Sequence, residues 1–381
     1  MLNGRRLAAV GLPPATVPTR IDLIGVAPTP DEAVPPSEAS ERGLIFSVTT
    51  LREPLLFDTY LRPQIWGGDG LARHLGKQMP EDALIGEAWE LSTLAEHISR
   101  VSTGSSCGEA LTNLWSQSRG ELSGTATAAD DFPWLVKWLD CSGRLSLQVH
   151  PDDNIARSVL GLPHGKCEAW VIVHVEPGAR VSLGLRDGVT RAMFEAHLTS
   201  GTIGECLHTF EPHVGDCLSL PAGTVHTAHG VIVAEVQQPS DATFRLFDWN
   251  RLDSSGQSRP LHRERGLQAI DWQQGPIDPV APKSLDVRDP GVVGEALLSA
   301  RWGRLERYRI ERSWTSPHLG EMTVWMVLEG DAALVDPLNA MRREMPRGST
   351  VLIPAAAGAV SWSPQAADLR CTLLCIREPL G

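Results

Sequence analysis

Lysine is scarce in this chain. Only Lys77, Lys137, Lys166 and Lys283 stand among 34 basic residues, and 46 acidic residues leave a formal net charge of −12. Such a balance argues against nucleic acid or an anionic membrane as partner, and any anionic small ligand would need a local cluster of positive charge. No apolar run reaches membrane-spanning length. Arg5 and Arg6 precede "LAAVGL", but Pro13 and Pro14 cut that run short of a secretory signal. The seven cysteines include no C-x-x-C pair, which argues against a thiolate zinc knuckle and reads as reduced thiols in a cytoplasmic protein. Tyrosine occurs twice against 12 tryptophans. Tryptophan faces stack on sugars, and they also fill barrel cores.

At 381 residues the chain is too long for one ordinary core. Residues 1–45 hold seven prolines and no sustained periodicity, so a disordered extension is expected there. Short runs of strand length follow, "ALIGEAWELS", "KCEAWVIVHV", "ARVSLGL", "DCLSLPAG" and "VIVAEVQQ" among them, each bounded by turn residues. Between them Met193, Phe194, His197 and Leu198 recur at helical spacing, which predicts a helical insertion around 190–210. The segments "SGQSRPLHRERG" and "PIDPVAPKS" read as a linker. The expected class is mainly β, with two sandwich or barrel units over 46–275 and 276–381.

The chemistry concentrates in three places. In "LSLQVHPDD" Leu145, Leu147 and Val149 share one face of a strand while Gln148 and His150 share the other. A solvated outer face explains that triplet as well as a site does. In "GDCLSLPAGTVHTAHG" the bend Pro221-x-Gly223 precedes His226, and in "GKCEAWVIV" Glu168 opens a strand. Gln148, His150, Glu168 and His226 together offer two imidazoles, a carboxylate and an amide oxygen, a set suited to a zinc ion with a position left open.

These segments carry a resemblance. G-x5-P-x-G-x2-H is the second motif of the cupins, jelly-roll barrels that bind a metal inside. "LSLQVHPDD", "GKCEAW", "PAGTVH" and "EVQQPSDATFRLFDWNR" in that order resemble type I mannose-6-phosphate isomerase (phosphomannose isomerase), roughly from Phe46 to Ile376. The resemblance implies two cupin barrels and one zinc held by Gln148, His150, Glu168 and His226. It also implies interconversion of mannose 6-phosphate and fructose 6-phosphate through a cis-enediol. Arg245 matches an active-site arginine of the family, and Lys166, two residues before Glu168, would reach the same cavity. Both are expected to be catalytic, and Lys137, Glu87 and Trp89 are expected to bind substrate. Asp152 and Asp153 would order the turn after His150 or simply cap it. The C-terminal block repeats the motif as Gly348-x5-Pro354 with Ala356 and Ala359 at the Gly and His positions, so a barrel without metal ligands is expected there. The partner would be a small sugar phosphate, and the protein a monomer or homodimer. Two other readings stay open: a non-catalytic sugar-binding or regulatory cupin, or an isomerase of a related sugar phosphate.

Overall fold

The computed structural model describes residues 51–81, 83–124, 130–253, 255–365 and 369–379. The extension expected over 1–45 lies outside them. Strands Tyr60–Gly68, Ile85–Leu91, Leu135–Cys141, His226–Gln237, Leu147–Val149 and Phe244–Phe247 hydrogen-bond in that order, all antiparallel. The long strand Glu168–Leu185 also pairs with His226–Gln237, and with Leu207–Phe210 and Cys217–Leu220.

The period of two divides this sheet into two chemically different faces. Val136 and Trp138, Ala169 and Val171, and Ile232 and Ala234 belong to one apolar cluster. Their neighbours Leu139, Trp170, Ile172 and Val233 belong to another. Lys137, Glu168 and Glu235 alternate in step with that second set, so these charged residues project from the same face as its apolar residues and are all buried. Burying the rest of both faces in hydrocarbon supplies the free energy against which such a polar row is held.

Strands Lys283–Ser284, Val292–Ala300, Gly303–Ile310, Cys371–Arg377, Thr323–Glu329 and Thr350–Ile353 form a second sheet in that order. Trp314–Thr315, Ser361–Pro364, Ala332–Asp336 and Met341–Met345 form a third. Leu305, Val324, Met326, Leu352, Leu374 and Ile376 of the second sheet enter the same cluster as Val136, Trp138 and Ala169 of the first. Trp134 Nε1 donates to the Trp302 carbonyl at 3.0 Å across the same join. The two blocks therefore share a core.

A helix does form at Arg191–Ser200, with Thr190 Oγ1 accepting from the Met193 N–H at 3.3 Å. Phe194 and Leu198 are its buried residues and Met193 is exposed, so the apolar stripe is narrower than the spacing suggests. Among the described residues no helix is long and apolar enough to cross a membrane.

Candidate functional site

Strand register assembles the site. His226 pairs with Gln148, and Gln148 pairs with Arg245 on its other side. Farther along the sheet Glu235 pairs with Lys137, and Arg62 with Glu87. Residues from six strands are thus brought into register along the sheet.

Two close approaches aim the ligand residues. Gly223 has φ of +89°, where a side chain is strained, and a Cβ there would sit 3.0 Å from Asp271. Its N–H donates to the His150 carbonyl at 2.9 Å, which ties the turn before His226 to the strand of Gln148. At Gly165 a Cβ would meet Asp152 backbone at 2.5 Å. This approach lets the Gly165 N–H reach Asp153 Oδ1 at 2.8 Å, while Asp152 Oδ1 caps the following turn from Ile155 N at 2.8 Å. Asp153 thereby ties the loop that carries Lys166 and Glu168 to the turn after His150, and Asp152 caps that turn.

At the centre, Glu168 Oε1 lies 3.4 Å from His150 Nε2 and 3.4 Å from His226 Nε2. Gln148 Nε2 is 3.0 Å from His226 Nε2, and a half-turn of the amide brings its oxygen to that place. Each imidazole uses Nδ1 on a backbone carbonyl, His150 on Ala242 and His226 on Thr224, both at 2.9 Å. That leaves Nε2 of both rings turned toward Glu168. His150 Nε2 and Glu168 Oε1 are buried without a hydrogen bond, while Glu168 Oε2 faces the Lys166 ammonium at 3.1 Å. Orphaned buried polar atoms are costly, and a cation among them would satisfy all of them at once.

Electrostatics favour ligand-competent protonation states. Burial, then the nearby Lys166 charge, hold the His150 imidazole well below its ordinary pKa, and burial lowers that of His226. Burial works against the Glu168 charge, but Lys166 and His226 outweigh it and hold the carboxyl below its usual range. Neutral imidazoles around an ionised carboxylate are what a divalent cation requires.

Beside this group lies a cavity of about 300 Å³, lined in part by Gln148, Lys166, Trp170, Lys137, Glu87 and Arg245. Lys166 Nζ stands 3.1 Å from Glu168 Oε2. Lys137 is fully enclosed, 3.3 Å from Glu235 and 3.4 Å from Glu87. Trp89 does not line the cavity. It is buried behind it, donating Nε1 to Glu87 Oε2 at 2.7 Å and taking Arg62 and Lys137 over its ring. Arg62, Asp241, Glu235 and Arg259 line the cavity too, and reading the sequence passed over them. A carboxylate inside the apolar run "VIVAEVQQ" was a signal for Glu235. Burial, reinforced by Glu168 and only partly offset by Lys137, raises the pKa of Glu235.

Two other groups among the described residues gather ligand-type side chains. His74 and His174 stack at 3.6 Å with planes 20° apart, next to Glu176. Lone pairs in nearly parallel planes that far apart do not converge on one ion. In the C-terminal block, where no ligands were expected, Glu306, His318 and Cys375 come together. There Arg377 takes Glu306 Oε1 at 2.7 Å and Tyr308 donates to Oε2 at 2.8 Å, so the carboxylate is already committed. The His150 group differs from the first in its converging rings and from the second in its orphaned atoms.

Residues 55–164 match the family described as phosphomannose isomerase type I, catalytic domain. Mannose-6-phosphate isomerase ManA of Bacillus subtilis is 34% identical over 223 residues, 58% of this chain and 68% of that protein. The probable mannose-6-phosphate isomerase GmuF of the same organism is 29% identical over 310 residues, 81% of this chain and 95% of that one. The crystal structure of the mannose 6-phosphate isomerase from Bacillus subtilis superposes with a TM-score of 0.77 at 25% identity, covering 86% of this chain and 100% of the other. On its likeness to ManA, 34% identical over 68% of that protein, and on the family match, the chain belongs to the type I mannose-6-phosphate isomerases, a family of aldose–ketose isomerases.

Proposed function

We propose that this chain interconverts mannose 6-phosphate and fructose 6-phosphate, with one zinc ion held by Gln148, His150, Glu168 and His226. In this reading 46–275 is a metal-binding cupin unit and 276–381 a second cupin unit that packs against it and lends no ligand. The single observation that carries the reading is the buried His150–Glu168–His226 group, with its unsatisfied His150 Nε2, adjoining a charged cavity that Gln148 and Lys166 line. The donor set of two neutral imidazoles, a carboxylate and an amide suits zinc and leaves room for substrate oxygen. The reduced thiols fit a cytoplasmic enzyme.

The reaction moves one proton between C1 and C2 of the open-chain sugar through a cis-enediol. It demands a group to hold that proton, positive charge near the C1 and C2 oxygens, and a cationic grip on the phosphate. Bound zinc supplies Lewis acidity toward those oxygens. Lys166, fixed by Glu168, adds an ammonium on the same side of the cavity. Glu235 lines the cavity beside Lys137 with its carboxyl pKa raised by burial, so it can take up and return a proton. Glu87 and Lys137 form a fixed charged wall against which sugar hydroxyls can hydrogen-bond, with Trp89 bracing Glu87 from behind. Arg245, on the strand paired with Gln148, contributes a guanidinium to the cavity lining.

Metal content tests the ligand set. The purified protein is expected to carry about one equivalent of zinc, and His226→Ala to lose it while keeping its circular dichroism spectrum. A full equivalent retained by His226→Ala would contradict the assignment.

A further inference from the structure

The cations lining the cavity are not equally compensated. Arg62 pairs with Asp241 at 2.9 Å, Lys137 with Glu235 and Glu87, and Lys166 with Glu168. Arg245 has no carboxylate within ion-pair distance among the described residues, and its Nε is buried without a hydrogen bond. Arg259 lines the same cavity. Its fork is seated on Asp248, Nε on Oδ2 at 2.9 Å and Nη2 on Oδ1 at 2.7 Å. Asp248 must also serve Arg251 at 2.5 Å. Three arginines around one carboxylate leave a net positive end in a chain of charge −12. Burial, and after it the charge of Arg259, lower the pKa of Arg245, as expected where two guanidinium groups face each other across too little negative charge.

The segment that delivers Arg259 is built for position. Asp253 Oδ1 accepts from the N–H groups of Ser255 and Gln257 at 2.8 and 2.9 Å, closing a tight turn. Beyond it the Pro260 carbonyl accepts Arg245 Nη1 at 2.8 Å. The His262 N–H donates to the Arg245 carbonyl at 2.7 Å, and the Arg245 N–H donates to His262 Nδ1 at 3.2 Å. The same short stretch thus clamps Arg245 on both its backbone and its side chain while placing Arg259 beside it.

We propose that Arg259, presented by the 253–262 segment and oriented by Asp248, is the second arm of a phosphate subsite shared with Arg245, and that it sets the preference for phosphorylated over neutral sugars. The proposal rests on the sugar-phosphate reading above. A phosphate dianion between two guanidinium forks would receive paired, charge-assisted hydrogen bonds and relieve the repulsion between them. Because the phosphate does not change during the reaction, this binding is uniform in ground and transition states.

Two measurements on the zinc-loaded protein test it. In steady-state kinetics Arg259→Gln should raise KM for mannose 6-phosphate about 10- to 100-fold, the range for one lost charged hydrogen-bonding partner, with kcat within about threefold. Arg259→Lys, which keeps the charge and loses the fork, should fall between, and serves if the glutamine variant does not fold. In calorimetry inorganic phosphate should bind the wild type and bind Arg259→Gln at least about tenfold more weakly. Calorimetry needs no turnover, so wild-type protein that binds phosphate through Arg259 but leaves mannose 6-phosphate unchanged would sink the isomerase reading and keep the subsite. Equal phosphate affinity in wild type and both variants, no phosphate binding at all, or a fall in kcat at unchanged KM would overturn the subsite.

Discussion

Lys137 is 2% exposed, and its ammonium lies between the carboxylates of Glu235 and Glu87. Burial opposes its charge, yet Glu235 and then Glu87 more than compensate and raise its pKa. Removing it leaves two buried carboxylates without the cation they share. Lys137→Met is therefore expected to cost about 3–5 kcal/mol of stability, the usual penalty for breaking one side of a buried pair, read as a lowered urea midpoint. A loss below about 1 kcal/mol would mean the triad is solvated. Residue usage made this position legible: in a chain of four lysines a lysine in a strand asks for a reason. Arg62 and Asp241 gave no such signal, because nothing around either departs from what a solvated strand or loop would carry. Gln148 and His150 needed only the two-residue period to be placed together, but which face of their strand is enclosed depends on chain far away in sequence.

At the scale of elements, the turn around Gly223 and the strand opening at Glu168 follow from local turn chemistry and apolar patterning, so both were readable. The 253–262 segment was not. Its composition is that of a linker, and its packing depends on hydrogen bonds to Arg245 and Asp248 that no periodicity announces. The C-terminal end shows the same limit. Glu378 follows the strand Cys371–Arg377, is 7% exposed, and leaves Oε1 buried without a hydrogen bond. Burial, and then the charge of Glu321, push its pKa up to about 7 from an ordinary value of 4.5. The folded protein thus holds a proton that the unfolded chain has released, so this group makes stability fall as pH rises from about 4.5 to about 7 and level off above. Urea denaturation at pH 5 and pH 8 checks it. The wild type should lose up to about 3 kcal/mol more than Glu378→Gln across that interval, and parallel pH profiles would contradict the account.

For the whole molecule, the acidic balance and the positive cavity end belong to one design. The chain carries excess negative charge, and in the proposed reading an anionic ligand would be met by the arginines and lysines that line one cavity. Behind Lys137, Glu168 and Glu235 the sheet's other face is buried in the core it shares with the second block, whereas Leu147 and Val149 beside Gln148 and His150 pack with Phe194 and Leu198 of the helix. Mainly β character could be read from strand lengths and turn residues, whereas the shared core could not, since it joins residues such as Val136 and Leu374 whose side chains give no hint of their partner. The central claim is that the His150–Glu168–His226 group holds the zinc on which sugar-phosphate isomerisation depends. The most direct measurement is a coupled assay of fructose 6-phosphate formed from mannose 6-phosphate by protein stripped with a chelator and then titrated with zinc. The account predicts no turnover in the stripped protein and recovery that saturates at about one equivalent of zinc. Turnover that survives full removal of metal, or zinc-loaded, folded protein that leaves mannose 6-phosphate unchanged, would contradict it.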